Sequence, residues 1–321
     1  MALLYGFNSF LRVGKEAAYG TAQTSSTQDI RLISSTLQTA QAIERKTHLS
    51  TPTSAMQSGT FQAFRTAGGS IDIPVHYDGI GALIEAALGS VASVGASDPV
   101  THTYSPNFDL PSLTMQYQRG TGLTNSREDF TGCKVSSMTI SCEAGQECTA
   151  SFEIIAQDGA ARTTDITASL PATDGVFHHE AGSLTMGGTL SIASLDIISF
   201  ELSLDNKLDR RNVLGSKLTG EPVITDVREV TLSITADVTD NSILTDQLSQ
   251  NSGDVYIEFT RTADSNHKFK ILLTSAIIDD YSDPVTAYGR VQRTFTLRGL
   301  ASSVNNGLTI TIINANTDPR Y

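Results

Sequence analysis

The chain has 321 residues, 39% hydrophobic and 17% charged, with 25 Gly, 9 Pro and no Trp. That is the composition of a globular protein long enough for two ordinary domains, and it excludes disordered, fibrous and membrane-embedded chains. Twenty-two Lys and Arg against 34 Asp and Glu leave a net charge of −12, shared by both halves (9 basic against 14 acidic residues in 1–160, 13 against 20 in the rest), which excludes a protein that grips nucleic acid through its phosphates.

The opening residues, Met1 to Glu16, have too short an apolar run and no basic leader for a signal peptide, and no later stretch approaches the roughly 20 apolar residues of a membrane span. A soluble protein with no membrane partner is expected. A long polar segment, Gln41 to Thr66, stands where a compact sandwich would use a short turn. Ile71, Ile73, Val75 and Tyr77 then alternate with Ser70, Asp72 and His76, the period of a half-buried strand. Ile80, Leu83, Ile84, Ala87 and Leu88 form a helical stripe, with Asp78 as expected N-cap and Gly89 as the stop. Leu113, Met115 and Tyr117 return to strand period. Met138, Ile140 and Cys142, then Cys148, Ala150, Phe152 and Ile154, predict a hairpin around an exposed acidic tip, Glu143 to Glu147. A small, polar stretch from Asp158 to Gly175 marks a boundary, giving domains at 1–165 and 181–321 with a linker at 166–180. The second half carries its own long polar segment, Asp205 to Arg228.

The chain repeats itself. Leu32, Ile33, Ser34 and Leu37 fall opposite Ile197, Ile198, Ser199 and Leu202, and Arg45 opposite Arg210, all 165 residues apart. Further on, Ile71, Ile73 and Val75 align with Leu232, Ile234 and Ala236. The Asp78-led helix aligns with Asp240 to Leu248, Leu113 to Tyr117 with Val255 to Phe259, and Phe152-Glu-Ile with Phe295-Thr-Leu. Two unrelated β modules are the alternative, because β sequences share alternation by chance. The long segments hold the main concentrations of basic charge: Glu44, Arg45 and Lys46 in the first, Asp209, Arg210 and Arg211 in the second. Arms reaching a neighbouring subunit would use such charges to set register; a solvated charge cluster is the alternative.

No residues point to catalysis, a cofactor or a metal. The six histidines are scattered, Cys133, Cys142 and Cys148 lack metal-ligand spacing and read as buried thiols, and no nucleophile elbow, phosphate-binding loop or zinc-protease motif occurs.

Lys15-Glu16-Ala17-Ala18-Tyr19-Gly20-Thr21 resembles the E-x-T-Y-G-T opening of major tail tube proteins of long-tailed, non-contractile bacteriophages, with Ala18 for the usual Thr. Gly69 to Asp78 with the following helix, Gly132-Cys133-Lys134-Val135 leading to Phe152, and Gly182 to Gly188, Leu202 to Asn206 and Glu229 to Asp237 are similar to the same family. The resemblance implies a mainly β protein of two tandem tail-tube-type β-sandwich or barrel domains, each with one flanking α-helix and a long polar loop. It also implies sheets joined between subunits around a channel, rings stacked into a virion tail assembled in the host cytoplasm, and passage of DNA without specific binding. Other tail proteins, such as terminator, tape measure and distal tail proteins, are the implied partners. A duplicated chain would form a trimeric ring; without duplication the ring would be a hexamer. Asp72, Glu143, Glu147, Glu153, Asp237, Glu258 and Asp279 are the acids expected to face the channel. The alternatives are the tube of a contractile injection system and an adhesion or carbohydrate-binding β module, the latter disfavoured by few aromatics and no Trp.

Overall fold

The computed structural model describes residues 6, 9–25, 27–45, 60–120, 126–170, 175–186, 190, 196–237, 241–261, 264–282, 284, 290–301 and 306–320. The first half runs β1 (Phe10–Lys15), β2 (Thr27–Arg31), β3 (Ser34–Ser35), β4 (Gln38–Arg45), β5 (Thr60–Pro74), α1 (Gly81–Leu88), β6 (Gly89–Val94), β7 (Val100–Pro106), β8 (Leu113–Gln118), β9 (Arg127–Glu143), β10 (Thr149–Ala156) and β11 (Asp158–Arg162). The second runs β12 (Gly182–Met186), β13 (Ile197–Asp205), β14 (Leu208–Arg211), β15 (Gly220–Ile224), β16 (Glu229–Asp237), α2 (Ser242–Leu248), β17 (Ser252–Thr260), β18 (Lys268–Ser282), β19 (Gln292–Arg298) and β20 (Leu308–Asn314). The molecule is mainly β, as the alternation and turn residues require.

An antiparallel sheet of eight strands in the order β4-β5-β10-β9-β13-β16-β19-β18 spans both halves. Ile71, Ile73, Met138, Ile140, Phe152, Leu202, Leu204, Leu232, Ile234 and Phe295 turn one of its faces into the core. The alternate residues leave the other face to water, the arrangement of an antiparallel sheet covered on one side. Two further sheets complete the packing: β2-β1-β8-β9-β11, and β12-β17-β18-β20-β7-β6. The long strands β9 and β18 each belong to two sheets, and the β6–β7 hairpin of the first half extends a sheet of the second.

β9 and β18 bend at irregularities that occupy matching places. In β8–β9 the ladder steps from Leu113 opposite Cys133 to Met115 opposite Phe130; in β17–β18 it steps from Gly253 opposite Ala276 to Val255 opposite Leu273. The skipped residues include Gly132 at φ 62° and Ser275 at φ 50°, both left-handed, as a bulge that re-aims a strand demands. A second bulge leaves Ser136 unpaired between β9 and β10, and Asp279 unpaired between β18 and β19.

The hairpin forms as expected, its seven apolar and cysteine positions buried and its tip exposed. Gly89 closes α1 at φ 107° with its N–H on the Glu85 carbonyl. Two local expectations are corrected. Asp78 does not cap α1, whose N-cap is Ile80 without a side-chain bond; its Oδ1 instead accepts from Asn316 Nδ2 at 2.8 Å and Asn314 Nδ2 at 3.3 Å. The helix is also buried on every side rather than along one stripe, with Glu85 paired to Lys15 at 2.6 Å.

The long polar segments carry strands. β4 and β5 pair far into the first, Arg45 opposite Thr60, and β14–β15 form a separate hairpin in the second. Lys46 and Asp240 lie outside the described residues, as do Gly187 and Gly188 of the motif beginning at Gly182. The segment expected as a linker packs firmly at its end: Phe177 is buried and exchanges backbone bonds with Val75 and Cys148.

Candidate assembly and channel face

The water-facing side of the eight-stranded sheet is a field of Ser and Thr interrupted by carboxylates. Because Ile71 and Ile73 point inward, Asp72 points outward, and Ser34 Oγ bonds to its Oδ2. The same alternation puts Glu143 at the end of β9, Glu153 on β10 and Asp237 on β16 on this side. Asp279, the bulged residue, holds Arg298 at 2.9 Å, and Asp237 holds Arg290 at 2.8 Å. Glu147, at the hairpin tip, lines with Glu143, Glu201 and His178 a concavity of about 930 Å³ beside the β9–β13 seam.

Glu258 sits apart from these six. It lies on β17, which is not one of the eight strands, between Lys268 at 2.7 Å and Lys270 at 2.8 Å. Burial opposes its ionisation, yet hydrogen bonds from those two lysines outweigh it and hold the carboxyl down to about 2. Glu201, Asp205 and Asp280 face the same way as the six and were missed from sequence. The signal was present for Glu201 and Asp205, which alternate with buried Phe200, Leu202 and Leu204. Asp205 and Glu229 share Lys207, at 2.9 and 3.0 Å. Among the described residues Glu143, Glu153 and Glu201 have no ion pair, so the face remains acidic.

The basic residues of the second long segment separate. Asp209 and Arg211 are exposed on β14. Arg210 turns back onto the first half of its own chain, donating from Nη2 to the Ala67 carbonyl at 2.7 Å and from Nη1 to the Ala156 carbonyl at 3.3 Å. Burial lowers its pKa, partly offset by Tyr19 and Glu153. Around it the β14–β15 arm is fastened by Arg65 N–H to the Lys217 carbonyl at 2.9 Å, Lys217 Nζ to Gln62 at 2.6 Å, and Lys134 to Glu221 at 2.6 Å. In the first segment Glu44 lies on exposed β4 opposite Phe61, and the side chain of Arg45 is outside the described residues. Ile43 and Phe61 of this arm are 63% and 52% exposed, an apolar surface that nothing among the described residues covers.

The Glu16-to-Thr21 motif has a structural role that sequence did not reveal. Buried Glu16 accepts four hydrogen bonds: from Gly20 N–H at 2.9 Å, Ser112 Oγ at 2.7 Å, Thr114 Oγ1 at 2.8 Å and the bulged Gly132 N–H at 2.9 Å. A buried carboxylate is tolerated when its lone pairs are satisfied in this way. At the matching bulge of β18, Asp254 Oδ1 accepts from Ser275 N–H at 3.0 Å.

Among the described residues no cluster of His, Cys, Asp and Glu is arranged to hold a metal ion, and no helix is long and apolar enough to cross a membrane. The three cysteines are free and buried.

A one-sided antiparallel sheet with bare edges, an exposed arm and a polar face describes a subunit built to assemble. The chain belongs to the phage tail tube protein family, whose profile matches residues 6–299. No curated protein matches it. It is a structural component of a phage virion tail, from a family of structural proteins rather than enzymes, and membership implies self-assembly into a tube and association with other tail proteins.

Proposed function

We propose that this chain polymerises into stacked rings whose joined eight-stranded sheets enclose a channel for DNA, and that each chain supplies two tail-tube repeats, so that three chains complete a ring. The observation that carries the reading is the recurrence of one strand order with its bulges: β4-β5-β10-β9 in the first half and β13-β16-β19-β18 in the second. Phe152 lies opposite Ile71 and Met138, and Phe295 opposite Ile234 and Tyr281. Gly132 and Ser275, and Ser136 and Asp279, stand the same 143 residues apart as Phe152 and Phe295. Independent modules have no reason to share two bulges at one spacing.

In this reading the polar face lines the channel, and DNA passes without sticking because carboxylates repel phosphates while Ser and Thr keep the wall wet. Asp72, Glu143, Glu147, Glu153, Asp237 and Asp279 belong to that wall, joined by Glu201, Asp205 and Asp280. Terminator, tape measure and distal tail proteins are the natural contacts at the tube ends and within it, and the host cytoplasm is the place of assembly.

Electron microscopy of the purified protein at high concentration tests the proposal. Hollow stacked rings with an acidic bore support it; rings with a positively lined bore overturn the channel wall, and a protein that never forms rings, even when mixed with its tail-tip complex, overturns the polymer.

A further inference from the structure

Among the described residues the eight-stranded sheet has two open ends, and the chain contains a template for closing them. At the internal seam Asp205 lies opposite Ser137, Leu204 opposite Met138 and Ser203 opposite Thr139. The ladder registers relate β4 to β13 by 165 residues, since Gln38 lies opposite Gly68 and Ser203 opposite Thr231. They relate β9 to β18 by 143, since Met138 and Tyr281 lie opposite Phe152 and Phe295. The counterparts of β13 and β9 are therefore the two strands at the open ends, β4 and the last turn of β18.

Among the described residues, both edges carry backbone groups answered by nearby side chains. Thr36 N–H bonds inward to the Ser70 carbonyl of β5, so Leu37 N–H points to the open side, where Ser35 Oγ accepts it at 3.3 Å. The Leu37 carbonyl takes Arg119 Nη2 at 3.1 Å, and Tyr281 N–H is taken by Asp280 Oδ1 at 2.8 Å. Unpaired strand edges shielded by local polar side chains are how a sheet is kept from premature pairing.

We infer that the end of β18 in one copy of this chain adds to the β4 edge of a second copy in the register of the internal seam, with Asp280 opposite Ala40, Tyr281 opposite Thr39 and Ser282 opposite Gln38. The occupant is a second copy because the seam it reproduces is already made by this sequence. Outward-facing Gln38 and Ser282 correspond to Ser203 and Thr139, so the polar face continues across the junction. Pairing replaces the side-chain bond at the Tyr281 N–H by a ladder bond with Thr39. This inference rests on the tube reading and adds the edge and the register.

Cysteine cross-linking tests it. Asn206 N–H to the Ser136 carbonyl and Ala144 N–H to the Ile198 carbonyl fix the alternation at the seam, making Ser203 and Thr139 a non-hydrogen-bonded pair, the geometry in which side chains approach closest. Gln38→Cys with Ser282→Cys should link chains to one another under mild oxidation of assembled rings, and Ser203→Cys with Thr139→Cys should link within a chain. Gln38→Cys with Asp280→Cys, slipped by two residues and so about 6–7 Å further along the strand, should yield at least about tenfold less product. Should the double variant fail to form rings, chains carrying Gln38→Cys mixed with chains carrying Ser282→Cys give the same readout. Rings visible by microscopy in which the slipped pair cross-links instead, or neither pair does, overturn the register and leave the tube reading standing. Absence of rings from the unaltered chain, even when mixed with its tail-tip complex, overturns both.

Discussion

Ile140 of β9 lies directly opposite Leu202 of β13, and both side chains are buried. The two halves thus share a strand ladder as well as a core, and the β14–β15 arm straps one to the other. One unit of folding follows from that continuity. Leu202→Ala should cost about 2–5 kcal/mol, the range for a buried leucine that leaves a cavity. Urea unfolding followed by circular dichroism and by tyrosine fluorescence should show a single coincident transition, moved to lower urea. Two separated transitions would contradict a shared core.

Arg210 and Arg45 should behave differently although they stand 165 residues apart in the paired segments. Arg210→Ala strips donors from the Ala67 and Ala156 carbonyls and should lower stability by about 1–3 kcal/mol. Arg45→Ala should leave the stability within about 0.5 kcal/mol of the parent while reducing ring formation seen by microscopy, as expected of a charge that acts between subunits. Equal loss of stability in both variants would show that Arg45 is committed within its own chain.

The alternation of Ile71, Ile73 and Val75, the β9–β10 hairpin and the glycine stop of α1 were legible because each is set by residues close in sequence. The register of the repeat was less so. The ladders put Ile234 in the place of Ile71 and Val255 in that of Met115, each two residues from the alignment that the sequence suggests. A strand has period two, so a slip of two keeps every inward residue inward and leaves no trace in the pattern. Asp78 was misread because Asn314 and Asn316, more than 230 residues away, compete for its carboxylate. The β18 bulge at Ser275 was hidden because no glycine stands there, as Gly132 does in β9, to advertise a left-handed backbone.

That difference gives a paired test. Ser275→Gly should stabilise the protein by about 1 kcal/mol by relieving a non-glycine residue at positive φ. Gly132→Ala should destabilise it by more, because a Cβ there would meet Gln157 Cβ at 2.8 Å and the Tyr19 ring at 3.0 Å. Thermal unfolding of both variants checks the signs, and a destabilising Ser275→Gly would mean that the Ser275 side chain has a role of its own.

Glu258 carries a pH signature. Its carboxyl is held at about 2 against an ordinary 4.5, so its contribution is complete above about pH 4.5 and is lost as the pH falls towards 2. Glu258→Gln should therefore be about 1 kcal/mol less stable than the parent at pH 7, a value kept small because the pair with Lys268 and Lys270 is part-exposed. The two proteins should converge as the pH approaches 2. A gap that stays constant from pH 7 to pH 2 would show that the lysine contacts contribute nothing.

The most direct test of the central claim, that one chain supplies two repeats, is a cryo-electron microscopy reconstruction of a single ring viewed along its axis, with its chains counted by native mass spectrometry against the 34.2 kDa subunit. The account predicts three chains presenting six similar lobes, with β18 of each chain paired to β4 of the next. Six chains in the ring, or open β4 and β18 edges at the chain boundaries, would contradict it.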